Sequence, residues 1–224
     1  MAHTIAHEIN NPLAAITNLL YLLRDSVDDS EVGTSYLAAA EQEVDRVSRI
    51  SRQILSFHRE SATRVQVNLS DLLEDVLALN NRELIDRNLR VTRRWDAEAV
   101  VCGFPAQLRQ VFSNILRNAV EASHKGSEIV VKISNVMIEK EKRERGVRVT
   151  VCDRGHGILR ENRHKIFDAF FTTKELKGTG VGLWLSSNIV HEHRGRIQLR
   201  SSTRPQHSGT CLSVILPRNV AEAE

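Results

Sequence analysis

His7-Glu8-Ile9-Asn10-Asn11-Pro12 gathers an imidazole, a carboxylate and two carboxamides in one short run, enough for nucleophilic chemistry. Ile5 and Ile9 belong to an apolar stripe of helical period, so the spacing turns the His7 ring away from that stripe and into solvent. An exposed imidazole titrates near neutrality and becomes a nucleophile once a ring nitrogen is deprotonated. Pro12 removes the hydrogen bond to the Glu8 carbonyl, which predicts a helix kink one turn past the histidine. The plainer alternative is an ordinary surface His beside an ordinary Glu. Zinc is not supported: His3 and His7 stand in HTIAHE rather than HExxH, and no third ligand is evident. His191 and His193 read as surface residues near a helix end.

Gln110, Asn114 and Asn118 follow one another at i,i+4 in QVFSNILRNAVEAS, beside a buried face marked by Val111, Ile115, Ala119 and Ala122. A column of carboxamides offers oxygen to a hard cation such as Mg²⁺, which keeps its waters and binds phosphates at the same time. The alternative is a hydrogen-bonded, half-buried polar face. Asp153-Arg154-Gly155-His156-Gly157 comes directly after the alternating strand Val147, Val149, Val151. A carboxylate at a strand end can accept the exocyclic amine of adenine, with glycines letting the backbone approach the base; a simple turn is the alternative. Gly178-Thr179-Gly180-Val181-Gly182 precedes the helical run LWLSSNIV. Glycines opening a helix leave N–H groups and the positive dipole end for phosphate. The run lacks a Walker ending and does not follow a strand as a Rossmann turn would. Between these motifs, IFDAFFTTK holds Phe167, Phe170 and Phe171, read as an anchored, movable lid or as a small satellite hydrophobic cluster.

Two kinds of element must position these groups. Apolar residues at Ile5, Ile9, Leu13, Ile16, Leu20 and Leu23, and again at Leu37, Ala40, Val44, Val47, Ile50, Ile54 and Phe57, predict two amphipathic helices around a polar break at 25–33. Joined as an antiparallel hairpin, each with one apolar stripe, they cannot enclose a core alone; a second copy completing a four-helix bundle is expected. From about Ser61 the pattern changes to short strands and helices: Val65–Asn68, a helix N-capped by Ser70, Leu89–Trp95, a helix from Pro105 to Ser123, strands at Ile129–Ile138 and Val147–Cys152, a helix to about His193, and a closing hairpin. The charge run Glu139–Arg145 reads as a solvated hairpin tip. The class is α+β: a helical hairpin over 1–62, then a sandwich over 63–224 with helices on one face of a sheet.

Lys and Arg number 31 against 28 Asp and Glu, a near-balance that argues against a nucleic-acid binder. Cys102, Cys152 and Cys211 lie in apolar, strand-like stretches without CxxC spacing, so reduced buried thiols in a cytosolic protein are expected. No apolar run approaches the ~20 residues of a membrane span, and MAHTIAHEIN lacks signal-peptide character. A cytoplasmic chain without direct membrane contact is expected.

Taken in order, the motifs resemble those of the sensor histidine kinases. HEINNP is similar to the H-box, QVFSNILRNAVEA to the N-box, DRGHGI to the first glycine box, IFDAFFTTK to the F-box and GTGVGL to the second glycine box; Gly209-Thr210 matches a weaker third signature. The resemblance spans nearly the whole chain and implies a dimerisation and phosphoacceptor hairpin followed by an ATP-binding sandwich of the Bergerat type. On that resemblance, His7 attacks the γ-phosphate of ATP, and Glu8 takes the proton from the other ring nitrogen, reaching sideways because adjacent helix positions do not face each other. Asn118 ligates Mg²⁺ with Asn114 in support, and Asp153 reads adenine helped by Gly155 and Gly157. Gly178, Gly180 and Gly182, with Thr179 among them, let the lid fold over the phosphates, and Lys174 contacts phosphate. Asn11 positions water for dephosphorylating the partner. The implied partners are a second copy and the receiver domain of a response regulator, with Ser61–Arg64 as the hinge. The sequence begins only a few residues before the H-box, so a sensory region and the upstream half of the first helix are expected to be missing. Two rivals remain: a hydrolytic ATPase of the Hsp90-like or mismatch-repair-like kind, disfavoured because Asn114 stands where such enzymes place a basic Glu, and a dimeric scaffold that binds nucleotide without transfer.

Overall fold

The computed structural model describes residues 13–23, 32–44, 47, 63–96, 98–139, 144–174 and 178–218. The chain divides into two compact units, residues 1–59 with 172–181 and residues 60–171 with 182–224. His7, Glu8 and Asn11, the polar break at 25–31, and Ser61 lie outside the described residues.

In the first unit, residues 13–23 (α1) and 32–44 (α2) are helical, as the apolar period predicts. Ala40 is buried, and Ile16, Leu19 and Leu23 are half-buried. Leu13, Leu20, Leu37 and Val44, four of the positions in the predicted stripes, are exposed.

The second unit is built on a five-stranded mixed sheet. Its strands are β2 (Arg90–Trp95), β4 (Glu128–Glu139), β5 (Glu144–Asp153), β6 (Arg196–Ser202) and β7 (Gly209–Pro217), in the order β2-β4-β5-β7-β6, parallel at β2–β4 and antiparallel elsewhere. β1 (Val65–Asn68) and β3 (Val100–Gly103) make a separate antiparallel pair. Helices α3 (Leu69–Leu79), α5 (Pro105–Ala122) and α6 (Gly182–Glu192) cover the sheet: α5 lies between α3 and α6 and packs on β5, and α6 packs on β6. A short α4 (Asn81–Asp86) follows α3. α5 buries Leu108, Val111, Phe112, Ile115, Leu116, Ala119 and Val120, spaced three and four apart, against Val147, Val149 and Val151, which alternate along β5. Each large side chain so buried stabilises the unit by about 1.5–3 kcal/mol. Periodicity therefore located the sheet and its main helices, while α4 was not read because it is too short to show a period.

Three expectations are corrected. Asn68, not Ser70, caps α3: its Oδ1 accepts the Ser70 N–H at 3.0 Å, and its Nδ2 donates to Asp71 at 2.8 Å. His193 is 1% exposed and no surface residue. Its Nδ1 donates to the Ile189 carbonyl (2.8 Å), which leaves Nε2 to accept the Phe104 N–H (3.0 Å), and its ring fills the space left by the missing side chain of Gly103. Cys152 and Cys211 are joined by a disulfide, because β5 and β7 bring them opposite each other in register. Cys102 remains free.

Candidate functional site

β5 ends at Asp153, whose carboxylate is 9% exposed among the helix-facing residues of the sheet. Its Oδ1 accepts the N–H of Gly155 (2.9 Å) and of Thr210 on β7 (3.1 Å). Both bonds end on one oxygen, and among the described residues Oδ2 accepts none. Burial pushes the carboxyl above the usual carboxylate range, while the two N–H groups and the nearby His156 and His124 pull the other way. The result is a fixed, mostly buried acceptor with one oxygen available for an N–H from outside the chain.

The backbone after Asp153 is held by close contacts that only glycine permits. A Cβ on Gly155 would lie 2.1 Å from the carbonyl oxygen of Ala122, at the end of α5. Gly157 has φ +73, and a Cβ there would lie 1.9 Å from the Ser202 carbonyl oxygen. The close approach made by these glycines is thus to the protein's own backbone. Ser201 completes the support: its Oγ accepts the Ile158 N–H (2.8 Å), donates to the Gly209 carbonyl (2.9 Å) and lies 2.9 Å from Thr210 Oγ1. Ser201 carried no sequence signal, because its partners lie 43, 8 and 9 residues away. The signal for Thr210 was only the Gly-Thr pair opening the last strand.

One face of α5 runs beside this loop. Ala122 abuts Gly155; Asn118 and Asn114 lie one and two turns earlier on the same face. Asn118 is half-buried. Asn114 is 3% exposed and its amide is committed: Nδ2 donates to the Gly182 carbonyl (3.1 Å) and Ser186 Oγ (3.3 Å), and Oδ1 accepts from Gln110 (3.3 Å) and Arg117 (3.4 Å). Asn114 therefore ties α5 to the first turn of α6, which opens at Gly182 with its positive dipole end. From Gly182 to Gly155, α5 lines up a helix N-terminus, the Asn118 carboxamide and the loop of Asp153.

Of the remaining sequence-predicted residues, Lys174, Gly178, Thr179 and Gly180 fall in the first unit. There the Lys174 N–H bonds Thr172 Oγ1 (3.1 Å), the Gly178 N–H bonds the Lys174 carbonyl (3.4 Å), and Gly180 has φ +66. Phe167, Phe170 and Phe171 are half-buried, and Phe170 has φ +67. Among the described residues no cluster of three or more His, Cys, Asp or Glu is able to hold a metal ion. The half-buried Asn118 carboxamide is an oxygen donor that would suit Mg²⁺ arriving with a phosphate and its own waters. No helix among the described residues is long and apolar enough to cross a membrane.

Residues 103–220 match the family described as "Histidine kinase-, DNA gyrase B-, and HSP90-like ATPase", and residues 1–63 match the "His Kinase A (phospho-acceptor) domain". Sporulation kinase A of Bacillus subtilis (strain 168) is 32% identical over 97% of this chain and 34% of its own length. The sensory histidine kinase/phosphatase NtrB of Azospirillum brasilense is 33% identical over 91% of this chain and 52% of its own length. The chain thus spans a third to a half of these two relatives. A solved structure of the histidine kinase ThkA in complex with the response regulator protein TrrA is 26% identical, with a TM-score of 0.70 over 98% of this chain and 61% of that one.

Proposed function

The chain belongs to the sensor histidine kinases of two-component systems, and from that premise we propose that it uses ATP to phosphorylate His7 and passes the phosphoryl group to an aspartate of a response regulator receiver domain. The observation that carries the nucleotide half is the buried Asp153 carboxylate, fixed through Oδ1 with Oδ2 left for a donor such as the adenine amine. Gly155 and Gly157 hold the loop that presents it. The phosphates lie toward Asn118 and the N-terminus of α6 at Gly182. Asn118 and water would hold Mg²⁺, and the ion when bound would supply charge neutralisation at the transferring phosphate.

A ring nitrogen of His7 attacks the γ-phosphorus, the bond to the β-phosphate oxygen breaks, and ADP leaves with that electron pair. Glu8 accepts the proton from the other ring nitrogen. The phosphohistidine then gives the phosphoryl group to a carboxylate oxygen of the receiver aspartate, regenerating the imidazole. Positioning and charge neutralisation supply most of such catalysis. We assign 1–62 to dimerisation and phosphotransfer and 63–224 to nucleotide binding, with the protein acting as a homodimer in the cytoplasm. Asn11 positions water for dephosphorylating the regulator, a reading supported by the kinase/phosphatase name of NtrB. Hydrolysis by an Asn114-activated water is disfavoured, since a carboxamide is no base and all its polar atoms are engaged.

Incubation with γ-labelled ATP and Mg²⁺ tests the proposal. The wild type should gain acid-labile, base-stable label that chases to a receiver domain. His7→Gln should gain none while still binding nucleotide, and Asp153→Asn should fail to bind. Label surviving in His7→Gln overturns the assignment.

A further inference from the structure

The phosphoryl chemistry leaves one feature beside Asp153 unused. Cys152 on β5 and Cys211 on β7 are Cα partners, 4.1 Å apart and joined by a disulfide, and the next pair in the register is Asp153 and Thr210. The cross-link thus spans the two strands one residue from the carboxylate and from the N–H that fixes it. Burial alternates along both strands: Val151, Asp153, Thr210 and Leu212 face the helices, whereas Cys152 and Cys211 are half-exposed on the opposite face. The same face carries Thr150 and Ser213, hydrogen-bonded at 2.8 Å, and in β6 the exposed Arg200 pairs with Cys211. Partial exposure gives both sulfurs the access to a small disulfide that exchange requires.

We propose that Cys152 and Cys211 form a thiol–disulfide modification site that reacts with low-molecular-weight disulfides of the glutathione class, and that its oxidation state sets how firmly the Asp153–Thr210 pair is held. Starting from the dithiol, the Cys211 thiolate attacks one sulfur of the small disulfide and expels a small thiolate. The Cys152 thiolate then attacks the Cys211 sulfur of the mixed disulfide and expels the second. The two protein thiols lose two electrons and two protons, and the small disulfide takes up both to become two thiols. In a reducing compartment such a bond is transient and sensing rather than permanent. The modification site stands independently of the nucleotide assignment; its coupling to ligand affinity rests on that assignment.

The test uses the full chain carrying Cys102→Ser, so that only the pair reports. After equilibration with oxidised glutathione, denaturation and N-ethylmaleimide treatment should leave no adduct by mass spectrometry, and after dithiothreitol two. Reduction should lower the unfolding midpoint by about 5 °C or more and weaken binding of a fluorescent ATP analogue by about threefold or more. Cys152→Ser should bind the analogue equally with and without dithiothreitol. Two maleimide adducts, or stable glutathione adducts, after oxidation overturn the site. Equal analogue affinity for the oxidised and reduced forms overturns the coupling. Binding to neither form overturns the nucleotide assignment and the coupling together, while the adduct count and the midpoint still decide the cross-link.

Discussion

In α5, Leu108, Val111, Phe112, Ile115 and Val120 are at most 2% exposed, whereas in α1 and α2 Leu13, Leu20, Leu37 and Val44 remain 45–50% exposed. Both regions show the same period in sequence. They differ in what lies opposite: a five-stranded sheet belonging to the same unit faces α5, while in α1 and α2 four of the seven stripe positions lie open in a single copy, with Ala40 buried and Ile16 and Leu23 half-buried. A helical period reports that an apolar face exists. It does not report whether the chain itself supplies the cover.

Breaking the open side should have the largest effect on association and the smallest on the sheet. Leu20→Glu combined with Val44→Glu should halve the mass measured by light scattering, yet leave nucleotide-analogue binding intact; a variant that loses both ties the two regions together and breaks the contrast. On the closed side, Phe112→Ala should lower unfolding free energy by about 3–5 kcal/mol in urea denaturation, because the sheet and α3 cannot collapse into the space. Gly157→Ala should remove about 2 kcal/mol or more, since φ +73 and the Ser202 carbonyl both oppose a side chain. Asn68→Ala, losing the cap of α3, should remove about 1 kcal/mol.

The smallest effect sharpens the contrast through pH. Burial lowers the His193 pKa below its ordinary 6.5, so the neutral ring is the folded form. The unfolded chain then binds the extra proton, and stability is lost as pH falls below about 6.5 toward the folded value. The midpoint of the wild type should fall between pH 7.5 and pH 6, and His193→Gln should flatten that slope. An unchanged slope assigns the dependence to another group.

His193 also shows where the sequence misleads. HEH at the end of a helix looks like surface, and nothing local says otherwise. Gly103 and the Phe104 N–H, some ninety positions earlier, create the cavity and the donor that hold the ring. Cys152 and Cys211 repeat the lesson, since a separation of 59 residues says nothing of pairing until β5 and β7 are adjacent. Asn114 repeats it in the site. The column Gln110, Asn114, Asn118 was legible, but only the arrival of α6 commits Asn114 to Gly182 and Ser186 and makes it the buried member, with Gln110 and Asn118 half-exposed on either side.

By itself the sequence determined the apolar periods of α1, α2 and α5, the alternation of β5, the order of the motifs, and the carboxylate at a strand end. These follow from neighbours within a few residues, where helix and strand geometry are already set. Tertiary structure alone decided that Oδ1 of Asp153 is occupied while Oδ2 is open, that Gly155 and Gly157 meet protein backbone, and that two cysteines meet beside them. Those outcomes depend on groups 33 to 59 residues apart coming into contact, and no local pattern encodes a contact whose second partner is set by the packing of another element.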